Sequence, residues 1–110
     1  MFNYRQNILA CENVPLAKIA TEVGTPVYVY STAELKNRAR AYRQAAGNNA
    51  LVCYAVKANG NPAILRLLQA EGLGADVTSG GELFLALHGG MAPHKIIFSG
   101  TGKSRSEIEL

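Results

Sequence analysis

The chain is short of charge. Only 17% of its 110 residues are charged, with eleven Lys and Arg against eight Asp and Glu for a net charge of +3. Combined with 48% hydrophobic residues, this excludes a disordered chain. A surplus of +3 is also too small for a nucleic-acid-binding surface, and no nucleic-acid partner is expected. The one basic cluster, Lys36, Arg38, Arg40 and Arg43, alternates with apolar residues in a helical pattern and reads as a solvated helix face. Sulfur is sparse as well. Cys11 and Cys53 form no CxxC, and nothing in their spacing pairs them. Cys53 lies in an apolar run and reads as a small core residue, and a reducing cytoplasm is the simplest compartment. His88 and His94 stand alone without metal-ligand spacing, so no metal site is expected. No apolar run approaches the roughly 18 residues of a membrane span. Met1 to Arg5 lack the basic start and apolar run of a signal peptide, and no membrane partner is expected. Length excludes one more thing: a closed (β/α)8 barrel takes about 250 residues.

Two phosphate-loop motifs are also missing. Gly102-Lys103-Ser104 sits between a strand and a helix, but a Walker A motif needs glycine where Ile97 stands. Gly72-Leu73-Gly74 starts like a dinucleotide fingerprint, yet the third glycine position holds Val77 and the segment ends a helix. Both read as turn and cap chemistry.

What is present is an alternation of strand and helix. Pro26 to Tyr30, rich in Val and Tyr, reads as a strand. Ser31 and Glu34 form a capping box for a helix with Leu35, Ala39, Tyr42 and Ala46 on one face. Leu51 to Val56 is a continuous apolar run, as in a buried parallel strand. Asn61 caps the next helix with Pro62 at its first position; Ile64, Leu67 and Leu68 are its buried stripe. Ala75 to Val77 is a short strand, Ser79 and Glu82 a second capping box, Lys95 to Phe98 another strand, and Ser104 with Glu107 a third box. Such alternation implies an α/β fold with parallel strands. Residues before Pro26 differ: Phe2–Arg5 and Ile8–Cys11 read as strand pieces, and Val14 to Val23 as one helix.

In a parallel sheet the carboxyl ends of the strands form the ligand-binding rim. Lys57 closes the run Tyr54-Ala55-Val56-Lys57 at that rim. A lysine there is either a solvated strand end or, desolvated, an amine available for Schiff-base chemistry. Asp76 repeats the geometry on the following strand, either pairing locally or facing a cationic ligand. Gly80 and Gly81 leave backbone N–H groups for a ligand or merely permit a turn. Ser99-Gly100-Thr101 occupies the same rim.

Tyr54-Ala55-Val56-Lys57-Ala58-Asn59 resembles the YAVKAN motif of the fold-type III pyridoxal-phosphate decarboxylases. Gly74-Ala75-Asp76-Val77-Thr78-Ser79-Gly80-Gly81-Glu82-Leu83 is similar to that family's G-[AF]-D-x-x-S-x-G-E-L segment. Ile97 to Ser104 resembles the strand and loop that follow in its diaminopimelate-cleaving branch, as do Phe2 to Arg5 and Gly24 to Tyr30 in the leader. One departure stands out: many members carry His and Asn where this chain has Ser99, Thr101 and Gly102.

The resemblance implies the N-terminal part of an alanine racemase-like (β/α)8 barrel. Residues 1–25 would be a leader that packs on a C-terminal β domain, and 26–110 a partial cofactor-binding barrel. It implies pyridoxal 5'-phosphate as cofactor, carried by Lys57 as a Schiff base. Asp76 would lie beside the cofactor's reactive end, and Ala55, two residues before Lys57 on the same strand face, would leave room for the pyridine ring. It further implies decarboxylation of meso-2,6-diaminopimelate to L-lysine and CO2, an amino-acid substrate and a homodimer. The family's phosphate loop, ring-stacking histidine and cross-dimer cysteine have no counterpart in these 110 residues. A chain holding only the leader and about three βα units of a barrel is therefore expected to be inactive and poorly stable alone. The alternatives are an ornithine, arginine or carboxynorspermidine decarboxylase, a non-catalytic pyridoxal-phosphate carrier on the same barrel, or a structural piece without ligand.

Overall fold

The computed structural model describes all 110 residues, which divide into two compact units, Met1–Arg38 and Ala39–Leu110. In the first unit, β1 (Phe2–Arg5), β2 (Ile8–Cys11) and β3 (Val14–Pro15) form an antiparallel sheet in sequence order. Gln6 and Asn7 join β1 to β2 with φ of 49° and 63°, the left-handed pair that matches the strand twist in a two-residue hairpin. Pro15 then precedes α1 (Leu16–Val23). The helix expected from Val14 thus starts later, because Val14 and Pro15 pair with Cys11 and Ala10.

Glu12, at the second hairpin turn with φ 55°, reaches far along the sequence. Its Oε1 accepts from Ser31 Oγ and from the Ala33 backbone N–H, both at 2.8 Å. Ser31 Oγ in turn accepts from the Glu34 N–H at 3.1 Å. The expected capping box therefore forms only by half. Glu34 instead bonds Arg38 one turn on, and Glu12 caps α2 (Thr32–Ala46). These donors hold the Glu12 carboxyl below the usual glutamate range, the Ala33 N–H most and the Ser31 hydroxyl next.

Residues 26–30 belong to neither sheet, contrary to the strand expected there. Val and Tyr favour strands because they fit a pleated, half-buried surface; here Tyr28 is 89% exposed, and no neighbouring strand offers that surface.

The second unit carries β4 (Cys53–Ala55), β5 (Gly74–Val77) and β6 (Ile96–Phe98), parallel and in that order. α3 (Pro62–Ala70) and α4 (Gly80–His88) connect them. Asn61 caps α3 by accepting the Ala63 N–H at 2.9 Å, with Pro62 in the first turn. The buried stripe of α3 is Ile64, Leu65 and Leu68; Leu67, expected in it, is half-buried. Of the face expected on α2, only Ala39 is buried, and Tyr42 is exposed. Ala75 and Val77 of β5, Leu65 of α3 and Ala86 of α4 are fully buried, and α4 packs against α3, β5 and β6. The helices thus cover one sheet face. The basic face of α2 meets α3 through Glu71, whose carboxylate accepts two hydrogen bonds from Arg40, at 2.7 and 2.9 Å, while its carbonyl accepts one from Arg43.

Candidate functional site

Strand side chains alternate between faces, and the register sorts them here. Ala75 and Val77 point to the helices. Gly74 and Asp76 therefore belong to the other face, with Cys53 and Ala55 opposite them on β4 and Ile97 beside Asp76 on β6. Ala55, Asp76 and Ile97 form one row across the sheet. On this face Ala55, Cys53 and Asp76 are half-buried and Ile97 is 51% exposed. Cys53, read from sequence as a core residue, stands on this uncovered face. Burial and the Asp76 charge push its thiol pKa up, so it stays a neutral thiol; both cysteines are free.

Lys57 departs from the strand-end geometry. β4 stops at Ala55, and Val56–Ala58 form a 3-10 turn. Val56 is buried in that turn, and Lys57 is exposed, with no hydrogen bond or ion pair. Ala55 and Lys57 therefore do not share a strand face as expected, since two-residue alternation ends with the strand at Ala55. Lys57 is delivered to the carboxyl end of the sheet by the turn. Just beyond it, Asn59 Oδ1 accepts the Asn61 N–H at 2.9 Å, and Tyr54 Oη donates to the Asn59 carbonyl at 3.3 Å. These bonds fix the link between the Lys57 turn and α3.

Asp76 Oδ1 accepts a hydrogen bond from Ser99 Oγ at 2.5 Å. Around it the rim is densely bonded. Ser79 Oγ accepts the Glu82 N–H at 3.2 Å, while the Glu82 carboxylate takes both the N–H and the hydroxyl of Thr78. The Gly80 N–H donates to Glu107 Oε1 at 2.8 Å. Glu107 also closes a full capping box with Ser104 at the start of α5 (Arg105–Ile108). The Gly80 N–H suggested for a ligand is therefore used within the chain. The box at Ser104 was legible locally; its second use at α4 spans 27 residues and leaves no local signal.

This donor set fits a pyridoxal group. An unpaired primary amine and a half-buried carboxylate stand at one end of one sheet, and Ala55, paired with Asp76, puts only a methyl group beside them. No helix of the chain is long and apolar enough to cross a membrane.

A parallel α/β unit with a lysine after its first strand and an aspartate on its second has known counterparts. Residues 32–110 match the family model described as pyridoxal-dependent decarboxylase, pyridoxal binding domain, and the chain belongs to that family. It is 49% identical over 105 residues to a diaminopimelate decarboxylase of Aquifex aeolicus, which covers 96% of this chain and 25% of that protein. A diaminopimelate decarboxylase of Archaeoglobus fulgidus is 46% identical over 110 residues, covering 100% of the chain and 26% of the relative. Among solved structures, a protein from Aquifex aeolicus superposes with a TM-score of 0.91 at 48% identity, over 97% of this chain and 27% of that one. The diaminopimelate decarboxylase of M. jannaschii in complex with L-lysine superposes at 0.84 with 33% identity, over 98% and 26% of the two chains. The chain thus spans about a quarter of the length of the relatives it matches.

Proposed function

We propose that the chain supplies the lysine-bearing part of a pyridoxal-phosphate site that removes the carboxylate of an amino acid, with meso-2,6-diaminopimelate as substrate and L-lysine and CO2 as products. On this reading residues 26–110 are the opening part of a (β/α)8 barrel, and residues 1–25 are a leader toward a C-terminal β domain. The intact enzyme is a cytoplasmic homodimer about four times as long. The single observation that carries the reading is the unpaired, exposed Lys57 beyond the Ala55–Asp76–Ile97 row. The relatives' names supply the substrate.

When bound, pyridoxal phosphate supplies a carbonyl that condenses with amines and a ring that accepts the electron pair left when CO2 departs. Lys57 Nζ contributes the amine that holds it. Asp76, already oriented through one oxygen, places negative charge beside a cationic nitrogen and favours its protonated form. Ala55 leaves room for a flat ring over the sheet end. The backbone bonds of Asn59, Asn61 and Thr78 hold the strand ends so that these groups need not reorganise when charge develops.

Borohydride reduction of the intact enzyme with its cofactor, followed by peptide mapping, tests this. The cofactor is expected on the peptide carrying Lys57, and Lys57→Ala is expected to abolish both that adduct and the decarboxylation. Label at wild-type level in Lys57→Ala would overturn the assignment.

A further inference from the structure

Ser99 stands in the loop where this chain departs from many members of the family, and it makes the one hydrogen bond to Asp76. We propose that Ser99 is the positioning residue for Asp76: it holds Oδ1 so that Oδ2 faces the cationic group of the bound cofactor. The proposal rests on the function given above.

Four features fix the hydroxyl. The Ser99 N–H donates to the Val77 carbonyl at 2.9 Å, which carries the β5–β6 ladder past Phe98. Ile97 shares a row with Asp76, and Ser99, just past the end of β6, brings its hydroxyl to the Asp76 carboxylate on that side. The next residue is Gly100, where a Cβ would sit 2.6 Å from the Thr78 carbonyl oxygen. Only glycine lets the backbone come this close, and a side chain there would lift Ser99 away. Lys103 closes the loop from the other side, donating through Nζ to the Gly100 carbonyl at 2.6 Å with the ammonium 5.1 Å from the centre of the Phe98 ring.

The hydroxyl has one proton and gives it to Asp76. A half-buried carboxylate with one oxygen so bonded keeps a single orientation, and its other oxygen takes no hydrogen bond from the chain. Without the hydroxyl the carboxylate turns among its rotamers, and its charge no longer meets the ligand at a fixed point. A hydrogen bond to a charged group is worth enough to change affinity by about tenfold.

The test uses the intact enzyme stripped of cofactor, with pyridoxal phosphate itself as the titrant. Ser99→Ala is expected to weaken equilibrium binding about tenfold, with the folding transition unmoved. Ser99→Thr, which keeps the hydroxyl, is expected to restore binding. In an Asp76→Asn background, Ser99→Ala is expected to add little further loss, because the two residues act as one unit. Wild-type affinity in Ser99→Ala, or losses that simply add in the double variant, would overturn the role of Ser99 while leaving Lys57 as the attachment point. Absence of any borohydride adduct at Lys57 in the wild-type enzyme would overturn the underlying function and this role with it.

Discussion

Replacing Gly74 by alanine tests the packing of the site's sheet in the most direct way. Gly74 opens β5 on the Asp76 face, paired with Cys53. A Cβ built there lies 2.3 Å from the Lys95 carbonyl oxygen, 3.0 Å from Cys53 Sγ and 3.3 Å from a Leu51 methyl. The nearest obstacle is backbone, so no side-chain rotation relieves it; β5 and the approach to β6 must separate. Overpacking of this kind costs about 1–3 kcal/mol, and a backbone collision puts Gly74→Ala toward the upper end. Loss of unfolded-state freedom offsets about 0.4–1 kcal/mol of that, leaving about 2 kcal/mol of net destabilisation. In a barrel of about 250 residues that corresponds to a fall in Tm of roughly 4–8 °C. Gly81→Ala is the matched control. It lies in the first turn of α4, and its Cβ would meet only Ser79 Oγ at 3.9 Å. The same change there is expected to stabilise by about 0.5–1 kcal/mol. Urea unfolding of the two variants beside the parent, each in the intact enzyme, measures both. A Gly74→Ala midpoint at or above that of the parent refutes the packing argument.

Asn61→Ala removes the cap of α3 just after the Lys57 turn and is expected to cost about 1 kcal/mol, read by urea unfolding, with amide exchange of Ala63 accelerated. The Glu107 carboxyl is held below its ordinary 4.5 chiefly by the Ser104 N–H and then by the Gly80 N–H. Its folded value is depressed, so its contribution is complete above the unfolded value near 4.5 and disappears as pH falls through the folded one. Amide exchange at Gly80, followed by NMR, is expected to be protected at neutral pH and to lose protection only in the acid range. Glu107→Gln is expected to flatten that profile, and an unchanged acid loss in this variant would remove Glu107 as its cause.

Local signals were legible in the sequence wherever the chemistry is local. Ser104 closes its expected box and Ser79 caps α4, although Glu82 turns to Thr78 and leaves that box half-formed. Asn61 and Pro62 open α3, and β5 and β6 fall where Ala75–Val77 and Lys95–Phe98 place them, while the run Leu51–Val56 pairs only over Cys53–Ala55. What escaped depends on neighbours distant in sequence. Pro26 to Tyr30 has strand composition and no paired partner. Glu12 takes over the α2 cap across 21 residues to Ala33, which no window around Ser31 contains. Ser99 and Asp76 are 23 residues apart and meet only because β5 and β6 are parallel neighbours. The motif made Lys57 conspicuous, but its delivery by a 3-10 turn was not visible: the run Tyr54-Ala55-Val56-Lys57 reads as unbroken strand until Val56 turns into the core.

The double use of Glu107 gears two rim loops together. One carboxylate closes the start of α4 through Gly80 and the start of α5 through Ser104, so the segment after β5 and the segment after β6 share a pin. An anion that displaced the carboxylate from one helix start would strip the other as well. Whatever arrives at this rim meets two loops that open as a pair or stay shut as a pair.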